Sequence, residues 1–187
     1  MKFAVNREAL LRPLQQVAGA VERRQTLPIL SNVLLDVDAG QLSLVGTDLE
    51  VELLGRVAVS EGEGGRITVP GRKLMDIVRQ LPERAEVHAK LEGSSLAVRS
   101  GTFNSALSTL GAEDFPTVEK SVGEVRFKID SKALKQVLDK TAFAMAQQDV
   151  RFFLNGMLIE ISEGFLRAVD TDGQSLALNG LKVVGAR

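Results

Sequence analysis

Two stretches of this sequence are copies of one another. Setting residues 3–59 against residues 127–183, an offset of 124 positions, aligns Phe3 with Phe127, Ala9-Leu10 with Ala133-Leu134 and Leu14 with Leu138. The same offset pairs Leu30 with Leu154, Leu34 with Leu158, Gly40 with Gly164 and Thr47-Asp48 with Thr171-Asp172, and no gap is needed. Fifteen of the 57 columns, 26%, are identical against roughly 6 to 7% by chance, and similarity at a fixed period marks a repeated structural unit. Any fold for the chain must therefore build the two stretches alike. A second complete unit would end near residue ~248. The sequence has 187 residues, so it reads as one whole domain, 1–118, followed by the first half of another, 124–187. An unfinished domain leaves apolar sheet and helix surface uncovered, which invites association.

Periodicity fills in the unit. Lys2 to Val5 alternates as a strand, and from Arg7 the positions Leu10, Leu14, Val17 and Val21 predict a helix of about four turns capped by Asn6. Strands follow at Ile29 to Val37, Gln41 to Val45 and Glu50 to Val59. A shorter copy of that order comes next. It has a strand at Arg66 to Val69, a helix from Pro70 to Leu81, and strands at Ala85 to Leu91, Ser94 to Arg99 and Phe103 to Leu110. Pro70 suits a first helical position, whose backbone donor is free anyway. After a polar linker, Pro116 to Gly123, the opening order returns: a strand at Arg126 to Ile129, a helix from Ser131 to about Met145, and strands from Phe152. The fold class is α+β, with repeated βαβββ units and helices on one side of antiparallel sheets.

Composition excludes several chemistries. There is no Cys, hence no disulfide scaffold, thiol nucleophile or thiolate metal site, and a single His leaves no His-rich cluster. The charged N-terminus resembles no signal peptide, and no apolar run approaches the roughly 20 residues that cross a bilayer, which predicts a cytoplasmic protein without a membrane partner. The net charge of −1 is segregated: residues 7–24, 70–84 and 131–148 together carry +6, so the remainder carries −7. On the predicted helices Arg7, Arg12, Arg72, Lys73, Arg79, Lys132, Lys135 and Lys140 lie off the apolar stripes. They form either ordinary solvated faces or a surface for a polyanion that holds the backbone and reads no bases. With no Tyr or Trp, a single-strand stacking platform is unattractive.

One rival chemistry stands out. Asp48, Glu50 and Glu52 have strand spacing, and Asp170 and Asp172 recur one repeat later. Carboxylates on one face can hold Mg²⁺ for phosphodiester hydrolysis, although acids at strand ends are also ordinary turn residues. His88 has no marked partner, and there is neither a phosphate loop nor a dinucleotide fingerprint.

The landmarks Met1-Lys2-Phe3, Leu14-Gln15-Gln16-Val17, Thr26-Leu27-Pro28-Ile29-Leu30 and Gly46-Thr47-Asp48-Leu49-Glu50 fall in the order of a known family. So do Val69-Pro70, Leu107-Ser108-Thr109-Leu110, Asp114-Phe115-Pro116, Gln148-Asp149-Val150-Arg151 and Leu154-Asn155-Gly156-Met157. Over virtually its whole length the sequence resembles the bacterial sliding clamps, the β subunits of DNA polymerase III. That resemblance implies a non-enzymatic processivity factor without cofactor or metal. Its full-length parent has three similar domains, forms a homodimeric ring around duplex DNA with helices lining the hole, and works with DNA polymerase III and its clamp loader. This chain, lacking the third domain, would be a monomer or a non-native oligomer.

The resemblance also implies sites. Arg24, Lys73, Arg79 and the loop with Gln147, Gln148 and Arg151 face DNA without sequence preference. Leu154, Thr171, Gly173, Gln174 and Leu176 form half of a pocket for partner peptides. Lys73, Phe103, Ser105 and Leu107 lie on the ring-interface edge. Two departures bear on this. The usual pocket run Ala-Thr-Asp-Gly-His-Arg-Leu-Ala is here Asp170-Thr171-Asp172-Gly173-Gln174-Ser175-Leu176-Ala177, and the usual edge Phe is Ser105. A magnesium-dependent nuclease or a diverged interaction scaffold are the alternatives.

Overall fold

The computed structural model describes residues 1–21, 27–117 and 127–183. They divide into two compact units, Met1–Glu119 and Lys120–Arg187.

In the first unit β1 (Lys2–Asn6) leads into α1 (Arg7–Val17). The Asn6 side chain accepts the Glu8 backbone N–H at 3.0 Å, which satisfies one of the free donors of the first turn. The helix is three turns rather than four and passes into a 3-10 turn, Ala18–Ala20. A second 3-10 turn, Pro28–Ser31, takes the start of the strand expected from Ile29, because Pro28 occupies its first turn with φ already set. The strands are then β2 (Asn32–Asp38), β3 (Gln41–Thr47), β4 (Glu52–Ala58), β5 (Ser60–Glu63) and β6 (Gly65–Pro70). β5 is polar and wholly exposed, so no apolar alternation announces it. α2 (Gly71–Gln80) begins one residue after the predicted start, with Pro70 as its cap residue. β7 (Glu86–Glu92), β8 (Ser95–Ser100) and β9 (Phe103–Ser108) complete the unit.

The two βαβββ segments exchange their first strands. β1 pairs antiparallel with β7 and β5, giving the order β5-β1-β7-β8-β9, while β6 pairs with β2, giving β4-β3-β2-β6. The buried Asn32 side chain ties β2 to β6 by donating to Thr68 Oγ1 at 2.9 Å. The helices pack on one face of the antiparallel sheets, over a core that includes Leu10, Leu14 and Val17 of α1, Leu74 and Val78 of α2, and Leu35, Leu42, Leu44, Leu96 and Val98 of the strands.

The second unit has α3 (Ser131–Asp139) and one antiparallel sheet, β10 (Leu158–Ser162), β11 (Phe165–Thr171) and β12 (Leu176–Lys182), in sequence order. α3 is shorter than predicted. Asp130 caps its start by accepting from Lys132 N and Ala133 N, and Thr141 Oγ1 turns back to the Val137 and Leu138 carbonyls at its end. Residues 142–144 and 152–155 are 3-10 turns, so the strand expected from Phe152 starts at Leu158. Of the strand predicted at Arg126 to Ile129, Arg126 lies outside the described residues and Lys128 makes only an isolated bridge. The core is small, with Val137, Leu166, Ala168 and Val183 at its centre.

Candidate functional site

Helix termini consume several of the cations that the sequence offers. Arg7 donates from Nε to the Val78 carbonyl at 3.0 Å and from Nη2 to the Arg79 carbonyl at 2.9 Å, and pairs with Glu8 at 3.1 Å. It therefore caps the C-terminal end of α2, where free carbonyls and the helix dipole favour a cation, and is not an open-face charge. Glu8 in turn accepts the Arg84 backbone N–H, which together with its other partners holds its carboxyl below the usual range. Arg72 reaches the Val21 carbonyl at 3.3 Å, and Lys135 pairs with Asp139 at 2.6 Å. Arg12, Lys73, Arg79, Lys132 and Lys140 are exposed without a partner among the described residues. Arg24 lies outside the described residues.

Lys73 sits with the edge residues. One open cleft is lined by Lys73, Ile77 and Gln80 of α2 and by Phe103, Ser105 and Leu107 of β9, the outer strand of the five-stranded sheet. Leu107 is buried, Ser105 half-buried and Phe103 exposed, so the large apolar side chain open to solvent at this edge is Phe103.

The repeat's identical Thr-Asp pair builds the same turn twice. Thr47 Oγ1 accepts Leu49 N at 3.1 Å, and Asp48 Oδ1 accepts Glu50 N and Val51 N at 3.0 and 2.7 Å. In the second unit Thr171 Oγ1 accepts Gly173 N at 3.0 Å, and Asp172 Oδ1 accepts Gln174 N and Ser175 N at 2.8 and 2.6 Å. Backbone donors thus lower both carboxyls, led by Val51 N–H for Asp48 and Ser175 N–H for Asp172. These acids shape turns, which removes the motive for the nuclease reading, and no cluster of three or more His, Asp or Glu able to hold a metal occurs among the described residues. Asp170 is different: it faces the core, buried, with both carboxylate oxygens unpartnered among the described residues.

The Thr171 turn meets the loop before β10. Gln147 and Gln148 are exposed, Gln148 at φ +58°. Arg151 donates from Nε and Nη2 to the two Asp149 oxygens at 3.0 and 2.9 Å, and from Nη2 to the Asp172 carbonyl at 3.3 Å. Its side-chain hydrogen bonds are the leading reason that the Asp149 carboxyl falls to about 2. Leu154 is buried, whereas Gln174, Leu176 and Leu178 are exposed. Sequence reasoning missed the exposed Phe152–Phe153 pair, edge-on with centroids 6.0 Å apart, although two consecutive aromatics after a charged loop are a visible signal.

The model of the DNA polymerase III beta subunit N-terminal domain matches residues 1–119, and that of the central domain matches residues 128–186. A beta sliding clamp of Pseudomonas aeruginosa is 57% identical over 182 residues, covering 97% of this chain and 50% of that protein. One from Escherichia coli K12 is 51% identical over 184 residues, covering 98% and 50%. The crystal structure of the DNA polymerase III subunit beta from P. aeruginosa superposes with a TM-score of 0.95 at 55% identity, over 99% of this chain and 50% of that one. Caulobacter crescentus pol III beta gives 0.90 at 37% identity, over 97% and 50%. The chain thus spans about half the length of these relatives. With two family domains matched in order, the fold shared and more than half the residues identical to curated members over nearly the whole chain, the chain belongs to the DNA polymerase III beta subunit family.

Proposed function

We propose that this chain is part of a processivity clamp whose full-length parent encircles duplex DNA and tethers DNA polymerase III. The observation that carries this reading is the ordered match of both family domains to proteins named beta sliding clamps. The chemistry is positional. Arg24, Lys73 and Arg79 supply positive charge toward the phosphates, with Gln147 and Gln148 as neutral donors, and none of them reads a base edge. Retention comes from enclosure, so contacts can stay weak and the ring can move. In the parent, a homodimer closes through the edge at Lys73, Phe103, Ser105 and Leu107, and a clamp loader opens it. Leu154, Thr171, Gly173, Gln174 and Leu176 form one side of the site for a hydrophobic partner peptide. The protein works in the cytoplasm and forms no bond-breaking site.

The test is duplex binding by the 187-residue chain at low salt, read by fluorescence anisotropy on two unrelated sequences. We expect weak, sequence-independent binding that falls with salt by a slope of about 0.9 per phosphate contact. Reversing Arg24 and Arg79 to Glu abolishes it. Unchanged binding by that double variant would remove both residues from the contact surface.

A further inference from the structure

We propose that Arg151 is a positioning residue: gripped by Asp149, its guanidinium clasps the Asp172–Gly173 turn to the 147–155 loop and so sets the rim that carries Thr171, Gln174 and Leu176. The functional meaning of the clasp rests on the reading of that rim as one side of a partner-peptide site.

The geometry is that of a planar fork on a carboxylate. Asp149 Oδ1 accepts the Arg151 backbone N–H at 2.8 Å as well as Nε at 3.0 Å, and Oδ2 accepts Nη2 at 2.9 Å. Behind the pair, Asn155 fixes the Asp149 backbone on both sides, accepting its N–H at 2.9 Å and donating to its carbonyl at 3.0 Å. Ahead of it, Nη2 reaches the Asp172 carbonyl at 3.3 Å. A Cβ on Gly173 would lie only 3.1 Å from Nη1, so the guanidinium rests against bare backbone that only glycine leaves open at φ +88°. The Asp172 and Thr171 oxygens hold the turn internally, and the clasp is what joins it to the other loop. A lysine carries the same charge but cannot reproduce two parallel bonds to a carboxylate plus a third to a carbonyl.

Two consequences follow from this occupancy. A guanidinium whose fork lies on a carboxylate has its charge balanced locally, so Arg151 does not act as a phosphate contact. The rim's shape also depends on a residue outside the rim, so partner choice is tuned from the 147–155 loop.

Amide hydrogen exchange of the whole 187-residue chain, with neither DNA nor partner present, tests the clasp directly. Asp149→Asn and Arg151→Gln should each speed exchange at Gly173, Gln174 and Ser175 by about tenfold while core amides of β11 keep their protection. The double variant should lose no more than either single, since the pair acts as one device. Arg151→Lys should fail to restore protection. Unchanged exchange in the single variants, additive losses in the double, or full protection with Lys would each overturn the proposal. In the duplex titration Arg151→Gln should leave the salt slope unchanged, and a slope lower by about 0.9 would assign Arg151 to phosphate instead. Because exchange is read without DNA, failure of the clasp and failure of the clamp reading give separate results.

Discussion

Leu34 and Leu158 occupy the same column of the repeat, yet Leu34 is 2% exposed and Leu158 62%. Their neighbours Leu35 and Ile159 diverge in the same way, at 0% and 44%. The local pattern is not what separates them. β2 is flanked by β3 and β6, and Leu34 packs with Val45 and Phe115 on the sheet's other face. β10 has β11 alone as a neighbour among the described residues. Burial in the first unit is thus supplied by residues 65–117, through an exchanged strand and the segment after β9, and a repeat carries only the potential for it. The sharpest test is a matched truncation. Leu35→Ala should cost about 2–5 kcal/mol, as for other fully buried leucines, and Ile159→Ala less than about 1 kcal/mol. Urea unfolding with probes placed in each unit separately would measure both, because a single two-state fit does not describe two units. Equal losses would mean that β10 is covered in solution.

Gly46 and Asp170 are the next pair, and here the expected signs are opposite. A Cβ on Gly46 would come within 2.6 Å of the Val17 carbonyl oxygen, in the last turn of α1. In the second unit α3 ends at Asp139, two residues before Thr141, the counterpart of Val17, and an aspartate occupies the strand position. That aspartate is 2% exposed, and neither of its oxygens has a partner among the described residues. Gly46→Ala should destabilise the first unit by about 1–3 kcal/mol through forced displacement of the backbone. Asp170→Ala should stabilise the second by about 1–3 kcal/mol, by removing a buried polar group that has no partner. Thermal unfolding of the two variants beside the parent sequence decides it, and a loss of stability on removing Asp170 would point to a partner for that carboxyl.

What the sequence made legible was what short-range physics controls. The repeat, the helix cap Asn6, and the apolar stripes of α1 and α2 all depend on neighbours within a turn or two. The exchange of β1 and β6 between sheets was not legible, because pairing of Lys2 with Lys90 or of Asn32 with Pro70 leaves no mark in either strand alone. β5 escaped because strand geometry there is imposed by β1 on a polar segment. Among the site residues, Arg7 read as an open-face cation, since its α2 carbonyl partners lie 71 and 72 residues away. The resemblance placed Arg151 among the DNA-facing residues, and an Asp-x-Arg spacing does not reveal that the two side chains bind each other.

The Thr-Asp turns offer a smaller contrast. Leu49 takes φ +79° where the second unit has Gly173 at φ +88°. A left-handed residue with a Cβ costs about 1–2 kcal/mol, partly offset by the greater unfolded freedom of glycine. Leu49→Gly should therefore raise the first unit's stability by less than about 1 kcal/mol, because the burial lost from the half-exposed Leu49 side chain offsets part of the relieved strain. Gly173→Ala should lower the second unit's stability by a similar amount or more, since the methyl also meets Arg151. Melting temperatures of the two variants, shifting in opposite directions, would establish that one turn geometry serves both units.

The smallest effect is electrostatic, and it separates the two turns from the clasp. Asp48 and Asp172 are both held below the ordinary value of 3.8 by backbone donors, but Asp172 also feels the Arg151 charge, and Asp149 falls to about 2 chiefly through the Arg151 side chain. A carboxyl whose folded value is depressed contributes stability that is complete above its unfolded value and is lost as pH falls through the folded one. The window therefore lies between about pH 4 and about pH 2, and Asp149 is the last of the three to protonate. Carboxyl carbon NMR titration should show that order. In Arg151→Gln the Asp149 midpoint should climb toward the usual carboxylate range, Asp172 should rise less, and Asp48, in the other unit, should not move. An ordinary midpoint for Asp149 in the unaltered chain would mean that its fork with Arg151 does not persist in solution, and the shared turn would then be all that Asp48 and Asp172 have in common.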